Sequence, residues 1–165
     1  MPNYKYNGSA PWYSKRDKIK KVVIANGVRN IGKNAFGGCS TLTSVTIPNS
    51  VTSIGTGAFS ACSGLTSIIV EEGNSKYDSR NDCNAIIEKE SSTLITGCQN
   101  TNIPNSVTNI ADSAFYNCLT LTSIIIPNSV MSIGKHAFRY CSGLTAITIP
   151  NSVKSIGQGA FKECI

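Results

Sequence analysis

The sequence holds one histidine, one tryptophan and two methionines, and aromatic residues make up only 7% of it. Charged residues are sparse as well, at 15%. A Ser–His–Asp or Cys–His site needs an imidazole beside a nucleophile and an orienting acid. The lone His136 lies between Gly134 and Ala137, at a position taken by Asn34, Gly57, Ser113 and Gly159 in the other copies of the repeat described below. It therefore reads as a variable surface residue. The chain has no glycine-rich loop ending in Lys-Ser/Thr and no His-Glu-x-x-His, so the usual phosphate and zinc-protease motifs are missing. It has no Cys-x-x-Cys, which argues against structural zinc. No apolar run approaches a membrane span. The opening stretch "MPNYKYNGSAPWYSKRDK" lacks the apolar segment of a secretory signal.

The net charge is +6 but is unevenly spread. Lys15, Arg16, Lys18, Lys20 and Lys21 crowd into seven positions. No aromatic interleaving or nucleic-acid motif accompanies them, so they read as a solvated first turn rather than a nucleic-acid surface. Six of the nine acids fall between Glu71 and Glu90. Glu71, Glu72, Asp78 and Asp82 offer oxygen ligands for a hard cation, but their spacing matches no calcium loop. They read as a solvated insertion, and no metal or cofactor is expected.

What the sequence has in abundance is repetition, which outranks other signals when a fold is assigned. Along Cys39, Cys62, Cys118, Cys141 and Cys164 the numbering steps by 23, 56, 23 and 23. Phe36, Phe59, Phe115, Phe138 and Phe161 step identically, as do Pro48, Pro104, Pro127 and Pro150 after the first interval. The short interval, such as Cys39 to Cys62, is the repeat unit, and the odd step equals two such intervals plus ten further positions. One coil therefore carries an insertion.

Each unit can be read physically. In "LTSVTIP", Val45 and Ile47 alternate with Ser44 and Thr46, as in a strand with an apolar inner face. Pro48 and Asn49 turn the chain. "VTSI" is a second short extended piece, broken at Gly55. "GAFSAC" is too short for an independent helix and reads as one helical or 3₁₀ turn with Ala58, Phe59 and Cys62 inward. A single coil cannot bury enough apolar surface to offset the entropy of ordering it, whereas stacked coils bury both faces and complete a ladder. The expected fold is a leucine-rich-repeat-like right-handed solenoid, with a parallel β ladder, short second strands and single helical or 3₁₀ turns.

The chain reads as one solenoid domain over residues 1–165. Residues 1–18, with Trp12 and Tyr13, form an N-terminal cap. Residues 19–69 are regular coils in which Ile19, Val22 and Ile24 start the register. Residues 70–102 form an irregular coil in which "NAIIE" and "TLITG" make a protruding β-hairpin, and residues 103–165 are regular coils again. No polar closing coil follows Cys164, so the end reads as that of a truncated fragment or as a face for end-to-end self-association.

The seven cysteines are odd in number, so complete internal pairing is excluded. At a repeated inward position, cysteine behaves as a small apolar residue. The five periodic cysteines are read as buried thiols, and Cys83 with Cys98 is the single pair worth inspecting for a bridge. The outward strand positions Ser44, Thr46, Ser67, Ile69, Ser123, Ile125 and Thr148 form a stripe. Its two isoleucines mark either a contact face or simply good strand formers. With Glu88 and Glu90 of the hairpin, these are the candidate ligand-binding residues.

"IPNSVTSIG–AF–CS–LTSI" resembles the BspA-like leucine-rich repeats of surface and secreted proteins. These occur in gut and oral bacteria and in some parasitic protists. The resemblance covers five units from Val28 to Cys164. Ala111 departs from it where Gly32, Gly55, Gly134 and Gly157 stand, and Leu119 replaces the serine after cysteine. The departure at Ala111 implies tolerance of a side chain there or a local bend. The resemblance implies a right-handed solenoid with a parallel sheet and an extracellular or cell-surface location, and the lack of a convergent acid, base and nucleophile set argues against an enzyme. It also implies a protein-binding role such as adhesion to a host protein or another cell. The alternative is a spacer that projects another domain and binds nothing.

Overall fold

Strand segments too short to stand alone are stabilised here by stacking at the repeat interval. A computed structural model describes residues 1–4 and 10–164; residues 5–9 of the expected cap, and Ile165, lie outside the described residues. Strands β1 (Lys21–Val23), β3 (Ser44–Ile47) and β5 (Ser67–Val70) form a parallel three-stranded sheet. Val22 pairs with Val45 and Val45 with Ile68, so one repeat is one rung. Val45, Ile47, Ile68 and Val70 face inward and are buried, while Thr46 and Ile69 face out. The second strands are only two residues each. β2 (Asn30–Ile31) pairs in parallel with β4 (Ser53–Ile54). β9 (Asn109–Ile110), β10 (Ser132–Ile133) and β11 (Ser155–Ile156) form a second ladder in the same register.

The irregular coil supplies β6 (Tyr77–Asp78), β7 (Ala85–Glu88) and β8 (Thr93–Gly97). β7 and β8 form the expected antiparallel hairpin, with a bulge between Ile86 and Ile87. The hairpin does not protrude. β8 lies parallel to β9, and the sheet runs β11-β10-β9-β8-β7-β6. Ala85, Ile86, Ile87 and Leu94 are all 0% exposed, so the hairpin is inlaid in the wall. The reason lies in "AIIE". Its consecutive apolar residues give the strand no polar face, so both faces must be covered. Ile86 packs into the N-terminal half of the core, and Ala85 and Ile87 pack into the C-terminal half. β7 is thus the partition between the two halves.

The third wall is built from turns. Ala58 N–H bonds to Gly55 O at 3.1 Å and Cys62 N–H to Phe59 O at 3.4 Å, both of the 3₁₀ type. The wall never becomes a helix, because each coil places two residues in the left-handed region. One series is Asn34, Gly57, Ser113, His136 and Gly159, with φ of 55–69°. The other is Gly38, Ala61, Asn117, Tyr140 and Glu163, with φ of 58–78°. Neighbouring turns are joined by bonds such as Phe36 N–H to Ala58 O, 2.8 Å, and Phe138 N–H to Ala160 O, 2.7 Å.

Behind this wall the phenylalanines stack. Trp12, Phe36 and Phe59 form one column with centroid spacings of 5.5 and 5.4 Å. Phe115, Phe138 and Phe161 form another with spacings of 4.8 and 5.3 Å. Between the columns lies Gly97, where an added Cβ would fall 2.1 Å from Phe115 Cε1. The irregular coil touches the turn wall at Gly97, whose N–H bonds to Ala114 O at 3.0 Å, but among the described residues it supplies no counterpart of Ser60 and Ala61. Ala61 N–H therefore bonds directly to Tyr116 O at 2.9 Å, across the long step of the repeat.

The recurring glycine and its exception share one cause. A Cβ on Gly55 would lie 2.3 Å from Lys33 N, one on Gly134 2.5 Å from Asp112 N, and one on Gly157 2.4 Å from Lys135 N. Successive backbones approach too closely there for a side chain. Ala111 follows the irregular coil, where the chain beyond Leu94 runs on along β8 instead of turning. Its methyl group therefore has room, and no special bend is needed.

Trp12 sits on the first coil, where its Nε1–H donates to Ala35 O at 2.9 Å. The basic run lies on and after a 3₁₀ helix, Tyr13–Lys18, where the Arg16 guanidinium stands 4.2 Å over the Tyr13 ring.

Candidate functional site

Register places the outward residues in two groups rather than one stripe. Lys21, Ser44 and Ser67 form one outward row of the three-stranded sheet, and Val23, Thr46 and Ile69 form the next. Val23 is 80% and Ile69 52% exposed, so the second row is an apolar strip on paired backbone. Ser44 and Ser67 are half-buried. Ser123, Ile125 and Thr148 also point outward, and Ile125 is 83% exposed. They stand on extended segments that carry no strand pairing among the described residues, so they do not continue the first sheet. The cause is the irregular coil. Its segment at this wall is tied into the insertion: the Thr101 hydroxyl accepts from Cys98 N–H at 2.8 Å and donates to Asn84 O at 2.7 Å.

Glu88 and Glu90 sit at the end of the hairpin. Glu88 is half-buried and accepts from Ser91 Oγ at 2.6 Å. Glu90 is exposed and pairs with Lys76 at 3.0 Å, a solvent-screened contact of small energetic value. Next to them, a cleft of about 560 Å³ runs along β5, lined by Ser67, Ile69, Glu71, Tyr77, Asp78 and Lys89 among others. The apolar sheet row and the acidic segment therefore adjoin. The cleft is held by two polar anchors. Arg80 grips Asp78 through Nε at 2.9 Å and Nη2 at 2.8 Å. Buried Asn74 donates to Pro48 O and Val51 O at 2.9 and 3.0 Å, and accepts from Lys76 and Tyr77 N–H at 2.9 and 2.8 Å. Sequence reading places Lys21 outward, as found, but left Val23 out of the candidate face, although the register that places Val22 inward also puts it outward. It also missed Asn74, for which no periodic signal exists.

The thiols are structural. All seven cysteines are free. Cys83 and Cys98 lie in opposite halves of the core, on either side of β7. Cys62, Cys141 and Cys164 donate S–H to the carbonyl of the preceding coil's phenylalanine, Phe36, Phe115 and Phe138, at 3.2, 3.1 and 3.0 Å. Burial pushes Cys39 up to about 11, pushes Cys118 and Cys141 up to about 12, and raises Cys62 as well. A nucleophilic cysteine needs the opposite shift. His136 is half-buried on the turn wall with its Nδ1 over Gly159, where an added Cβ would lie 2.7 Å away. Among the described residues, no group of three or more His, Cys, Asp or Glu side chains could hold a metal ion, and no helix is long and apolar enough to cross a membrane.

The repeat geometry has known counterparts. A family model described as BspA type leucine rich repeat region matches in six copies, over residues 9–96 and 81–165. A leucine rich cell surface protein from Faecalibacterium prausnitzii A2-165 is similar, at 29% identity and a TM-score of 0.72 over 89% of this chain and 46% of that one. A leucine-rich repeat protein from Eubacterium ventriosum ATCC 27560 has 23% identity and a TM-score of 0.65, over 99% of this chain and 63% of that one. The pneumococcal vaccine antigen PcpA has 23% identity and a TM-score of 0.66, over 79% of this chain and 38% of that one. The latter two speak for the fold alone. This chain thus spans between 38% and 63% of the length of these solved chains. No curated protein sequence matches it.

Proposed function

Because this chain belongs to the BspA-type leucine-rich repeat family, we propose that it is a non-enzymatic protein-binding module of a bacterial surface or secreted protein, acting in adhesion outside the cell. The observation that carries this reading is the exposed apolar row Val23–Thr46–Ile69 on a paired sheet, with the acidic cleft along its edge. A large exposed side chain held on a rigid ladder loses little entropy when a partner covers it, which is what an interface anchor requires. The cell-surface neighbour from Faecalibacterium supports the location.

The test is retention of extracellular-matrix proteins and of intact epithelial cells on the immobilised chain. The comparison is with a Val23→Lys/Ile69→Lys variant and a Glu88→Lys/Glu90→Lys variant. Binding by the parent chain that falls at least about tenfold in the first variant supports the sheet face. If parent and variants alike retain nothing, the chain is a spacer and the binding reading is wrong.

A further inference from the structure

The turn wall carries a second recess, remote from the sheet face and independent of the adhesion reading. It forms where the wall steps across the irregular coil and sets residues 56–60 against residues 113–116. In the left-handed series Gly57 and Gly159 lack a side chain, and Gly57 is the one that faces Ser113 across the long step of the repeat. An added Cβ at Gly57 would meet Asn34 Oδ1 at 2.6 Å and Ser60 Oγ at 3.2 Å, so these polar groups close directly over the bare backbone and gather at one point of the cleft. The resulting cleft measures about 380 Å³, within the roughly 300–1,000 Å³ range of small-molecule sites.

Its lining is distinctive. Lys33 and Arg139 contribute two cations from coils far apart in sequence, and no acid lines the cleft. The two acids elsewhere on this wall are already engaged: Asp112 accepts from Lys135 N–H at 2.6 Å, and Glu163 lies 4.0 Å from Lys162. The segment Glu71–Glu90 holds six of the nine acids and three of the fifteen basic residues, so it carries −3 and the rest of the chain +9. The Arg139 guanidinium is held 4.6 Å over the Tyr140 ring, with Nη2 donating to Tyr140 Oη at 2.8 Å. Among the described residues Arg139 Nε is buried without a hydrogen-bond partner, a condition that is uncommon in folded interiors, while the likewise unpartnered His136 Nδ1 faces Gly159 rather than the cleft.

These groups define the ligand. Two cations with no opposing acid select an anion. The neutral groups of Asn34, Thr56, Ser60 and Ser113 exceed what a bare ion can use, and the volume exceeds it as well. A carboxylate or sulfate carried on a hydroxylated ring would use both sets. We propose that this cleft binds an acidic sugar residue of a glycan, with Lys33 and Arg139 on the anionic group and the neutral side chains on the ring hydroxyls.

The test is a titration of ¹⁵N-labelled chain at low ionic strength, followed by amide shifts. The acidic probes are N-acetylneuraminic acid, glucuronic acid and glucosamine 6-sulfate. The controls are glucose, sodium sulfate and a tetraglutamate peptide. At least one acidic sugar should move the amides of Gly57, Ser60, Ser113 and Arg139 saturably, and added salt should weaken the effect. Lys33→Gln and Arg139→Gln should each weaken it by at least about tenfold through loss of a charge-assisted bond. Gly57→Asn should abolish it by pushing Asn34 and Ser60 out of place with a residue that tolerates this backbone, while the remaining spectrum stays as in the parent. The proposal is overturned if no acidic sugar shifts these amides, or if sulfate or tetraglutamate moves them as far. Parent-like binding by the three variants overturns it too.

Discussion

Raising the pH from 7.5 to 9.5 should strip this chain of much of its stability, through thiols that do no chemistry. Cys39, Cys62, Cys118 and Cys141 are between 0% and 7% exposed. Burial pushes Cys39 up to about 11 and Cys118 and Cys141 up to about 12, and it raises Cys62 too. In the unfolded chain each thiol titrates near about 8.5. Above that pH the unfolded state releases protons that the folded state retains. The unfolded state then binds fewer protons, and stability falls as pH rises. The contribution is intact below about 8.5 and declines until the folded thiols themselves ionise. The slope is about 1.4 kcal/mol per thiol per pH unit, so four thiols remove about 5–6 kcal/mol by pH 9.5. A domain of this kind has about 5–15 kcal/mol in total. The assay is urea unfolding under reducing conditions at three pH values, for the parent and for the Cys62→Ala/Cys118→Ala/Cys141→Ala variant. The triple variant starts less stable because of lost volume, but its pH slope should be shallower by about three protons. Lysines and tyrosines titrate alike in both and cancel. Equal slopes would refute the reasoning, because they would mean that the wall thiols are solvated when folded.

Two further predictions concern the scaffold. Gly134→Ala should destabilise by about 1–3 kcal/mol, because its Cβ would press into backbone pinned by the β9–β10 ladder. Ala111→Gly should cost no more than about 1 kcal/mol, so thermal unfolding of the two variants separates close approach from a general need for glycine. Asn74→Ala should cost about 3 kcal/mol or more, since the Val51 carbonyl and the N–H groups of Lys76 and Tyr77 lose their side-chain partner beneath the acidic cleft, while Pro48 O keeps Val51 N–H. Chemical denaturation reads that loss directly.

The periodic part of the molecule was legible because one period is one rung. The spacing of Val22, Val45 and Ile68 states their pairing, and the inward place of each cysteine follows from the same register. Three things escaped. The turn wall reads in sequence as single helical or 3₁₀ turns, and its bonds are of the 3₁₀ type, but "GAF" and its variants carry no signature of the left-handed backbone between them. Asn34, Ser113 and His136 adopt it only because bonds from the next coil hold them there. Two strands joined by the polar turn "KESS" read as a projecting hairpin, yet "AIIE" carries the contrary signal in its lack of a polar face. The third miss bears most on function. Periodicity predicts that Gly57 has neighbours one repeat away on both sides. The irregular coil reaches the turn wall at Gly97 but not beside Ser60 and Ala61, so Ser113 and Tyr116 arrive there instead from beyond the insertion. The same interruption sets the acidic segment beside β5. Both recesses therefore arise from a single break in the repeat. Moving that break by one coil would leave the solenoid intact and separate Lys33 from Arg139, which is why the individuality of this chain lies in the position of its insertion rather than in any repeated residue.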